Sequence, residues 1–148
     1  MQMHAEEWPE IENELAPLLA LHCKEMGLPG HALDLDRGCY AEAHRAGRLV
    51  VIVARDHGEA VGYYSSFLAR HPHYDLMVAA MDVYFLLETY RNGPNAGRLF
   101  GEMEKECRRR GATLLLSTVR PDVSPGAAAI FERLGWHASR IVYQKELE

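Results

Sequence analysis

The sequence of 148 residues has little cysteine and no long apolar run. Its three cysteines, Cys23, Cys39 and Cys107, are widely spaced and form no C-x-x-C pair, so neither a zinc ribbon nor a dithiol redox site is expected. No apolar stretch approaches the roughly 18 residues that span a bilayer, and the acidic first fourteen residues do not resemble a signal peptide. We therefore expect a cytoplasmic protein with three ordinary thiols, buried or half-exposed.

Positive charge is also scarce. Lys and Arg number 16 against 21 Asp and Glu, which gives a formal net charge of −5. This sign provides no general attraction to nucleic acid or to an anionic membrane surface, and it favours a cationic partner. The excess is uneven, because residues 1–47 hold three basic and nine acidic side chains, whereas residues 48–148 hold thirteen and twelve.

Metal-binding motifs are absent although the chain has eight histidines. His22, His71 and His73 come closest to a cluster, but there is no H-E-x-x-H motif and no carboxylate–histidine set with ligand spacing. Ordinary core or surface histidines are the simpler interpretation. We therefore predict no metal.

Length and composition fit one domain over residues 1–148. Apolar periodicity and turn residues predict, in chain order, helices over 17–27 and 35–46, strands over 49–54, 60–69 and 78–87, a helix over 97–111, a strand over 113–119, a helix over 125–134 and a strand over 141–147. Pro17 is placed at the start of the first helix. The alternation of strands and helices in the second half predicts an α/β fold, a mixed and partly parallel sheet with helices on both faces.

The most informative segment is 82–100, in which a strand leads into a Gly/Asn-rich turn that opens directly into a helix. The first backbone N–H groups of a helix have no intrahelical partner, and the helix dipole is positive there, so such a junction can hold a phosphate. Arg91 and Arg98 flank the turn and add positive charge. The phosphate-loop motifs G-x-x-x-x-G-K-[ST] and G-x-G-x-x-G do not occur in it.

This segment resembles the acyl-CoA pyrophosphate loop of the GCN5-related N-acetyltransferase (GNAT) superfamily, usually [QR]-x-x-G-x-[GA]. Arg91 matches the leading basic residue and Gly97 the last glycine, with five residues between them where the family usually has four. The tail, 127–136 and 143–147, is similar to the closing helix, turn and last strand of the family. The N-terminal half, over 18–25, 47–49 and 54–63, is similar to a phage-associated branch.

The resemblance implies transfer of an acetyl group from acetyl-CoA, as co-substrate, to an amine of a small molecule or a protein. It implies that the backbone of Leu86 and Leu87 binds pantetheine. The residues implied to hold the pyrophosphate or contact the cofactor elsewhere are Arg91, Asn92, Gly93, Asn95, Ala96, Gly97, Arg98, Ser124 and Phe131. The main alternative, from another class, is a catalytically idle CoA-binding or protein-interaction domain on the same fold; a phosphopeptide- or nucleotide-binding module is weaker.

Direct acetyl transfer needs a base that takes a proton from the ammonium, and an acid can assist the leaving sulfur. Many relatives place a tyrosine acid on the closing helix, where this chain has Phe131. Tyr143 and Tyr84 are then the candidate acids, unless the thiolate leaves unaided.

For the base we predict Asp82, because an ionisable group within an apolar strand is costly unless it is paired, and desolvation at such a position would make its carboxylate a stronger base. The alternative is that Asp82 pairs with a buried basic residue and is structural. Glu25, which shares a helix face with His22, is the second candidate.

Substrate contacts are predicted at His22, Tyr40, His73 and Tyr84, of which Tyr40 and Tyr84 could instead merely pack. In the family the first two helices wall the acceptor site. The acidic excess of residues 1–47 therefore predicts a cationic amine that approaches over these helices, with neither nucleic acid nor membrane as a partner. A homodimer stays open.

Overall fold

The computed structural model describes residues 1–28, 30–120, 122, 124 and 126–147. The elements are β1 (Gln2–Ala5), α1 (Trp8–Met26), α2 (Arg37–Arg45), β2 (Leu49–Asp56), β3 (Glu59–Arg70), β4 (Met77–Leu86), a 3-10 turn (Glu88–Tyr90), α3 (Asn95–Arg109), β5 (Leu114–Leu116) and α4 (Ala127–Arg133). They fall into two compact units, Met1–Ser117 and Thr118–Glu148. Each unit is described by itself.

The first unit is built on a five-stranded sheet in the order β1-β2-β3-β4-β5. The first three strand pairs are antiparallel and the β4–β5 pair is parallel, which confirms the predicted mixed sheet. The β4–β5 pairing is short, since it joins only Val78–Ala80 to Leu114–Leu116. Residues 81–86 of β4 therefore continue beyond the last β5 partner.

Both faces of the sheet are covered by helices, as predicted. Leu49, Val51 and Val53 of β2 belong to a buried cluster with residues of α1 and α2. On the other face, Tyr64 of β3 contacts Phe100 of α3 with ring centroids 5.4 Å apart. Because side chains alternate along a strand, the fully apolar run of β2 supplies both layers.

The first helix starts at Trp8, so the prediction that it begins at Pro17 is wrong. Its buried residues, Trp8, Ile11, Leu15, Leu18 and His22, recur at spacings of three and four and face the sheet. This continuous apolar stripe outweighs the backbone hydrogen bond that Pro17 removes inside the helix. Strand β1 was not predicted, because four residues at a sheet edge carry too little pattern.

The C-terminal end of α3 carries three consecutive arginines, Arg108, Arg109 and Arg110. Arg108 pairs with Glu104 at 2.6 Å, Arg110 pairs with Glu106 at 2.7 Å, and Gly111 has φ 90°. Hydrogen bonds from Arg109 and Arg110 lower the pKa of Glu106 to about 2. The triple arginine thus serves local ion pairs rather than a basic binding patch.

The three thiols are all free, and Cys107 is buried, Cys23 half-buried and Cys39 exposed. The exposure of Cys39 is greater than expected. Burial raises the pKa of Cys107 to about 11, so this thiol stays protonated.

In the second unit, α4 covers Ala127–Arg133, whereas the predicted helix start at residue 125 lies outside the described residues. The predicted strand over 141–147 is wrong, since none of these residues forms a strand in the described part of the chain. Ile141, Val142 and Tyr143 are 79%, 71% and 89% exposed. Their β-branched and aromatic side chains favour an extended backbone, but a strand exists only where a neighbouring strand pairs with it.

Candidate active site

A β-bulge places Asp82 in the candidate site. In the β3–β4 ladder Ser65 pairs with Val83 and Ser66 with Met81, so Asp82 is the extra residue. Regular alternation would put Asp82 on the same face as Tyr84, towards α3. The bulge turns its side chain to the opposite face, where α1 and α2 pack.

Two hydroxyl groups hold the Asp82 carboxylate. Tyr40 Oη of α2 and Ser65 Oγ of β3 both donate to Asp82 Oδ2, the latter at 2.9 Å. Burial and the hydrogen bond to Asp82 raise the pKa of Tyr40, so the phenol remains a protonated donor. Among the described residues no basic side chain pairs with Asp82, which removes the support for a purely structural ion pair.

The residue Asp82 itself is exposed, so the expectation of an apolar, dehydrated position is wrong. The reason lies in the sheet, because β5 covers β4 only as far as Ala80. Asp82 is therefore within reach of a ligand from solvent while its carboxylate is fixed from the protein side.

His22 lies in the interior behind this carboxylate. Its side chain is buried, its Nδ1 is hydrogen-bonded with Tyr63 Oη at 2.6 Å, and its ring stacks on Phe85 at 5.1 Å. Desolvation lowers the pKa of His22 below its usual 6.5. A neutral imidazole that packs against the core is thus the form present at neutral pH.

Arg91 connects the loop after β4 to α1. Its Nη2 forms an ion pair with Glu25 Oε2 at 2.6 Å, its Nε donates to the backbone oxygen of Leu86 at 2.8 Å, and its guanidinium lies 5.3 Å from the Phe85 ring centre. The Leu87 N–H donates to the Val61 oxygen at 2.9 Å, as part of the sheet. Glu25 is exposed, and its carboxylate is paired with Arg91.

The start of α3 has the properties of an anion site. The Arg98 N–H donates to Pro94 O at 2.9 Å, and the first turn contains no acidic residue. The N–H groups of Asn95, Ala96 and Gly97 precede that bond and stand at the positive end of the helix dipole. A Cβ placed on Gly97 would meet nothing within 4 Å, so the space beside this residue of the first turn is open.

The turn before α3 is tied to its surroundings. Gly93 has φ 76°, which allows the chain to reverse next to the exposed Asn92. Asn95 Nδ2 donates to Tyr90 O at 3.0 Å, and Arg98 Nη2 donates to Met1 O at 3.2 Å. The side chains of Asn95 and Arg98 therefore organise the loop.

Two predicted substrate residues lie away from the Asp82 carboxylate. His73 is in the exposed loop between β3 and β4, where its N–H donates to His71 Nδ1 at 3.1 Å. Tyr84 faces α3, with its ring 5.1 Å from that of Phe100. The structure brings together Asp82 and Tyr40, whereas His73 lies in the β3–β4 loop and Tyr84 lies on the α3 face.

The remaining predicted residues belong to the second unit. Ser124 precedes α4, and its backbone oxygen accepts a hydrogen bond from Ala127 N at 3.1 Å. Phe131 is buried with its ring 4.8 Å from that of Trp136, while Tyr143 is exposed. Phe131 is thus a packing residue of its own unit.

Comparison with known families decides the classification. The Acetyltransferase (GNAT) family matches residues 5–136, which is most of the chain. The chain belongs to the GNAT family. The predicted class of enzyme, an N-acetyltransferase, is thereby confirmed, whereas the narrower resemblance to a phage-associated branch stays a prediction.

Solved structures show the same GNAT fold at low sequence identity. An aminoglycoside acetyltransferase from an uncultured soil metagenomic sample has a TM-score of 0.80 at 15% identity, covering 99% of this chain and 98% of that one. The ribosomal-protein-alanine N-acetyltransferase of Brucella melitensis biovar Abortus 2308 has a TM-score of 0.75 at 16% identity, covering 99% and 100%. AAC(6')-Iy in complex with the bisubstrate analogue CoA-S-monomethyl-acetylneamine has a TM-score of 0.72 at 18% identity, covering 99% of this chain and 97% of that one. A search of curated proteins found no match.

Sequence reasoning missed Ser65 and Tyr63 of this GNAT site. Both are buried in β3, at 3% and 2% exposure. A signal was present, since Ser65 and Ser66 interrupt an otherwise apolar strand, and buried hydroxyls require hydrogen-bond partners. What the sequence could not give is the bulge that brings Asp82 to Ser65.

Two structural searches give negative results. Within the described ranges, no group of three or more His, Cys, Asp or Glu side chains is arranged to hold a metal ion. No helix in the described part of the chain has the length and apolar character that crossing a bilayer requires.

Proposed function

We propose that this GNAT enzyme transfers the acetyl group of acetyl-CoA to an amine of a small cationic molecule, with Asp82 as the base. The observation that carries the proposal is the position of Asp82. Asp82 lies on the stretch of β4 that continues beyond the last β5 partner, and two hydroxyl donors from α2 and β3 fix its carboxylate. An amine can therefore reach a carboxylate that is already oriented.

The described residues fit the pyrophosphate of acetyl-CoA at the start of α3. The amides of Asn95, Ala96 and Gly97 supply donors, the helix dipole supplies partial positive charge, and no first-turn carboxylate opposes an anion. The strand rise of about 3.4 Å per residue places Asp82 roughly 14 Å before Leu86. The stretch 81–86 of β4 is thus an extended edge along which a pantetheine arm can run.

Acetyl-CoA supplies the acetyl group as a thioester, which only a neutral amine can take up. Asp82 accepts the proton that an approaching ammonium must lose, directly or through a water molecule. Tyr40 keeps its own proton and so serves as a donor rather than as a second base. A thiol has an ordinary pKa of about 8.5, so its thiolate leaves near neutral pH without an obligatory acid. Neither of the candidate acids, Tyr84, which faces α3, and Tyr143, is needed for this step.

The choice of a cationic small molecule is supported by the relatives. Solved structures that share the fold include aminoglycoside acetyltransferases, one of them in complex with sisomicin. The carboxylate of Asp82, which among the described residues is held by hydroxyl groups and not by a basic side chain, matches a positively charged acceptor. A protein amine is the second option, since another similar structure is a ribosomal-protein-alanine N-acetyltransferase.

The test mixes the protein with acetyl-CoA and a panel of amines and follows free thiol. The panel contains aminoglycosides, linear polyamines and peptides with a free N-terminal alanine. We expect saturable acetyl-CoA binding and thiol release with a polycationic small molecule. Binding without thiol release on any amine would favour an idle CoA-binding domain, and release with the peptides alone would move the substrate to proteins.

A further inference from the structure

The two donors on Asp82 meet at one oxygen. Tyr40 Oη and Ser65 Oγ both donate to Oδ2, which uses its acceptor capacity on the protein side. Within the described residues, Oδ1 has no hydrogen-bond partner. The two carboxylate oxygens therefore differ in their surroundings: Oδ2 is hydrogen-bonded to the protein, and Oδ1 is not held by these donors.

Tyr40 is itself held rigidly. Its ring stacks on Trp8 with centroids 4.7 Å apart and an interplanar angle of 29°, and it contacts Phe67 at 5.5 Å. At the start of α2 the Asp36 side chain accepts a hydrogen bond from Cys39 N at 2.9 Å, which fixes the helix one residue before Tyr40. The Tyr40 side chain therefore has little freedom to move, and its hydroxyl fixes the position of Asp82 Oδ2.

From this arrangement we infer that Tyr40 and Ser65 are positioning residues that hold Asp82 Oδ2 so that Oδ1 receives the acceptor ammonium. The inference rests on the proposed function. It assigns Tyr40 a role that differs from substrate contact, and it brings in Ser65, which no sequence pattern had linked to the site. The bulge at Asp82 is what allows donors from α2 and β3 to meet the same oxygen.

The charge of Asp82 acts on titratable groups of three elements in the described part of the chain, among them Tyr40 on α2, Tyr63 on β3 and His22 on α1. Burial raises the pKa of both tyrosines and lowers that of His22. All three are therefore uncharged at neutral pH, and the two hydroxyl donors are the local groups that stabilise a carboxylate there.

The test replaces Tyr40 with Phe, which keeps the ring and its packing on Trp8 and removes only the donor. Two quantities are measured, kcat against KM for acetyl-CoA, and the pH titration of the Asp82 carboxyl carbon by NMR. Loss of a hydrogen bond to a charged group should raise the proton affinity of Asp82 about tenfold. We expect the acidic limb of the pH–rate profile to move to higher pH by the same amount. The plateau value of kcat should fall about tenfold because the carboxylate is no longer oriented, and KM for acetyl-CoA should stay unchanged. Ser65→Ala should act in the same direction.

Tyr64→Phe is the matched control. Tyr64 is a buried tyrosine next to Ser65 in β3, but it lies on the α3 face of the sheet, away from Asp82. It should move neither the titration nor kcat. A folded Tyr40→Phe protein whose Asp82 titrates as in the unmodified chain would overturn the inference. A loss of acetyl-CoA affinity as large as the loss in kcat would also overturn it. If the titration moves but no amine is acetylated by either protein, the proposed function fails while the hold of Tyr40 on Asp82 is supported.

Discussion

At the scale of single residues, His22 couples folding to pH. Its imidazole is buried against Tyr63 and Phe85, and desolvation lowers its pKa from 6.5. The unfolded chain therefore binds a proton near pH 6.5 that the folded chain does not yet bind. Since the unfolded state then holds more protons, the stability that this group contributes is complete above about pH 6.5 and is lost as the pH falls towards the lower folded pKa.

We expect His22→Leu to flatten this dependence. The free energy of unfolding is measured by urea titration at pH 7.5 and at pH 5.5. The unmodified protein should lose more stability between the two than the variant does, because Leu has no proton to bind. The same substitution at the exposed His137 is the control and should leave the difference intact. Equal losses in the unmodified protein and the His22 variant would contradict the account.

Asp82 stands out in the sequence as a lone carboxylate in the apolar run of a strand, and its role as the base stays a prediction. Its partners could not be predicted, since Tyr40 and Ser65 are brought to it by α2 packing and by a bulge. A bulge shifts the face of one residue without leaving a mark in apolar periodicity. For the same reason the exposure of Asp82 was misjudged, because it depends on where β5 stops.

At the scale of elements, the β3–β4 pair positions both the proposed base and the proposed cofactor edge. Gly62 pairs with Leu86, and a Cβ added to Gly62 would lie 2.6 Å from the Phe85 backbone oxygen and 2.5 Å from Leu86 Cδ2. Only glycine permits this close approach. Residue size at this position therefore controls the strand end that precedes the anion loop.

Gly62→Ala is expected to destabilise the protein by about 1–3 kcal/mol and to weaken acetyl-CoA binding, because the end of β4 must shift. Gly101→Ala, within α3, is the control, since its Cβ would meet nothing and alanine favours a helix by about 1 kcal/mol. Thermal unfolding and calorimetric titration with acetyl-CoA measure both effects. A Gly62→Ala protein that binds and unfolds like the unmodified chain would contradict this packing.

The start of α3 gives a prediction in which stability and binding move in opposite directions. Gly97→Glu places a carboxylate in the first turn, where the helix dipole favours it by about 0.3–1 kcal/mol. The same charge repels a pyrophosphate, so the dissociation constant for acetyl-CoA should rise about tenfold or more. Gly97→Ala adds the Cβ without the charge and should bind nearly normally. If both variants bind equally, charge at this end of α3 plays no part.

Elements with strong local patterns were predicted well, and those that depend on distant partners were not. β2, β3 and β4 were found within a few residues, because long apolar runs and a tight turn at His57 and Gly58 define them. The strand expected over 141–147 has the same kind of side chains but no pairing in the described residues. Extended propensity is a local property, whereas strand formation is not.

At the scale of the whole molecule, part of the acidic excess of residues 1–47 is used in ion pairs inside the first unit. Arg55 of β2 binds Glu6 at 2.7 Å and Glu14 at 2.6 Å, which ties the sheet to α1. Glu6 is 13% exposed, so its charge serves this network. The attraction for a cationic acceptor is therefore expected from Asp82 rather than from the helix surface as a whole.

The central claim is that the oriented Asp82 carboxylate takes the proton of an amine during acetyl transfer from acetyl-CoA held at α3. The most direct measurement compares thiol release by the unmodified protein and by Asp82→Asn across pH, with acetyl-CoA affinity determined alongside. We predict that kcat falls by about 10²–10⁴, that the acidic limb of the pH–rate profile disappears, and that acetyl-CoA affinity is unchanged. Full activity of Asp82→Asn with the same pH profile would contradict the account.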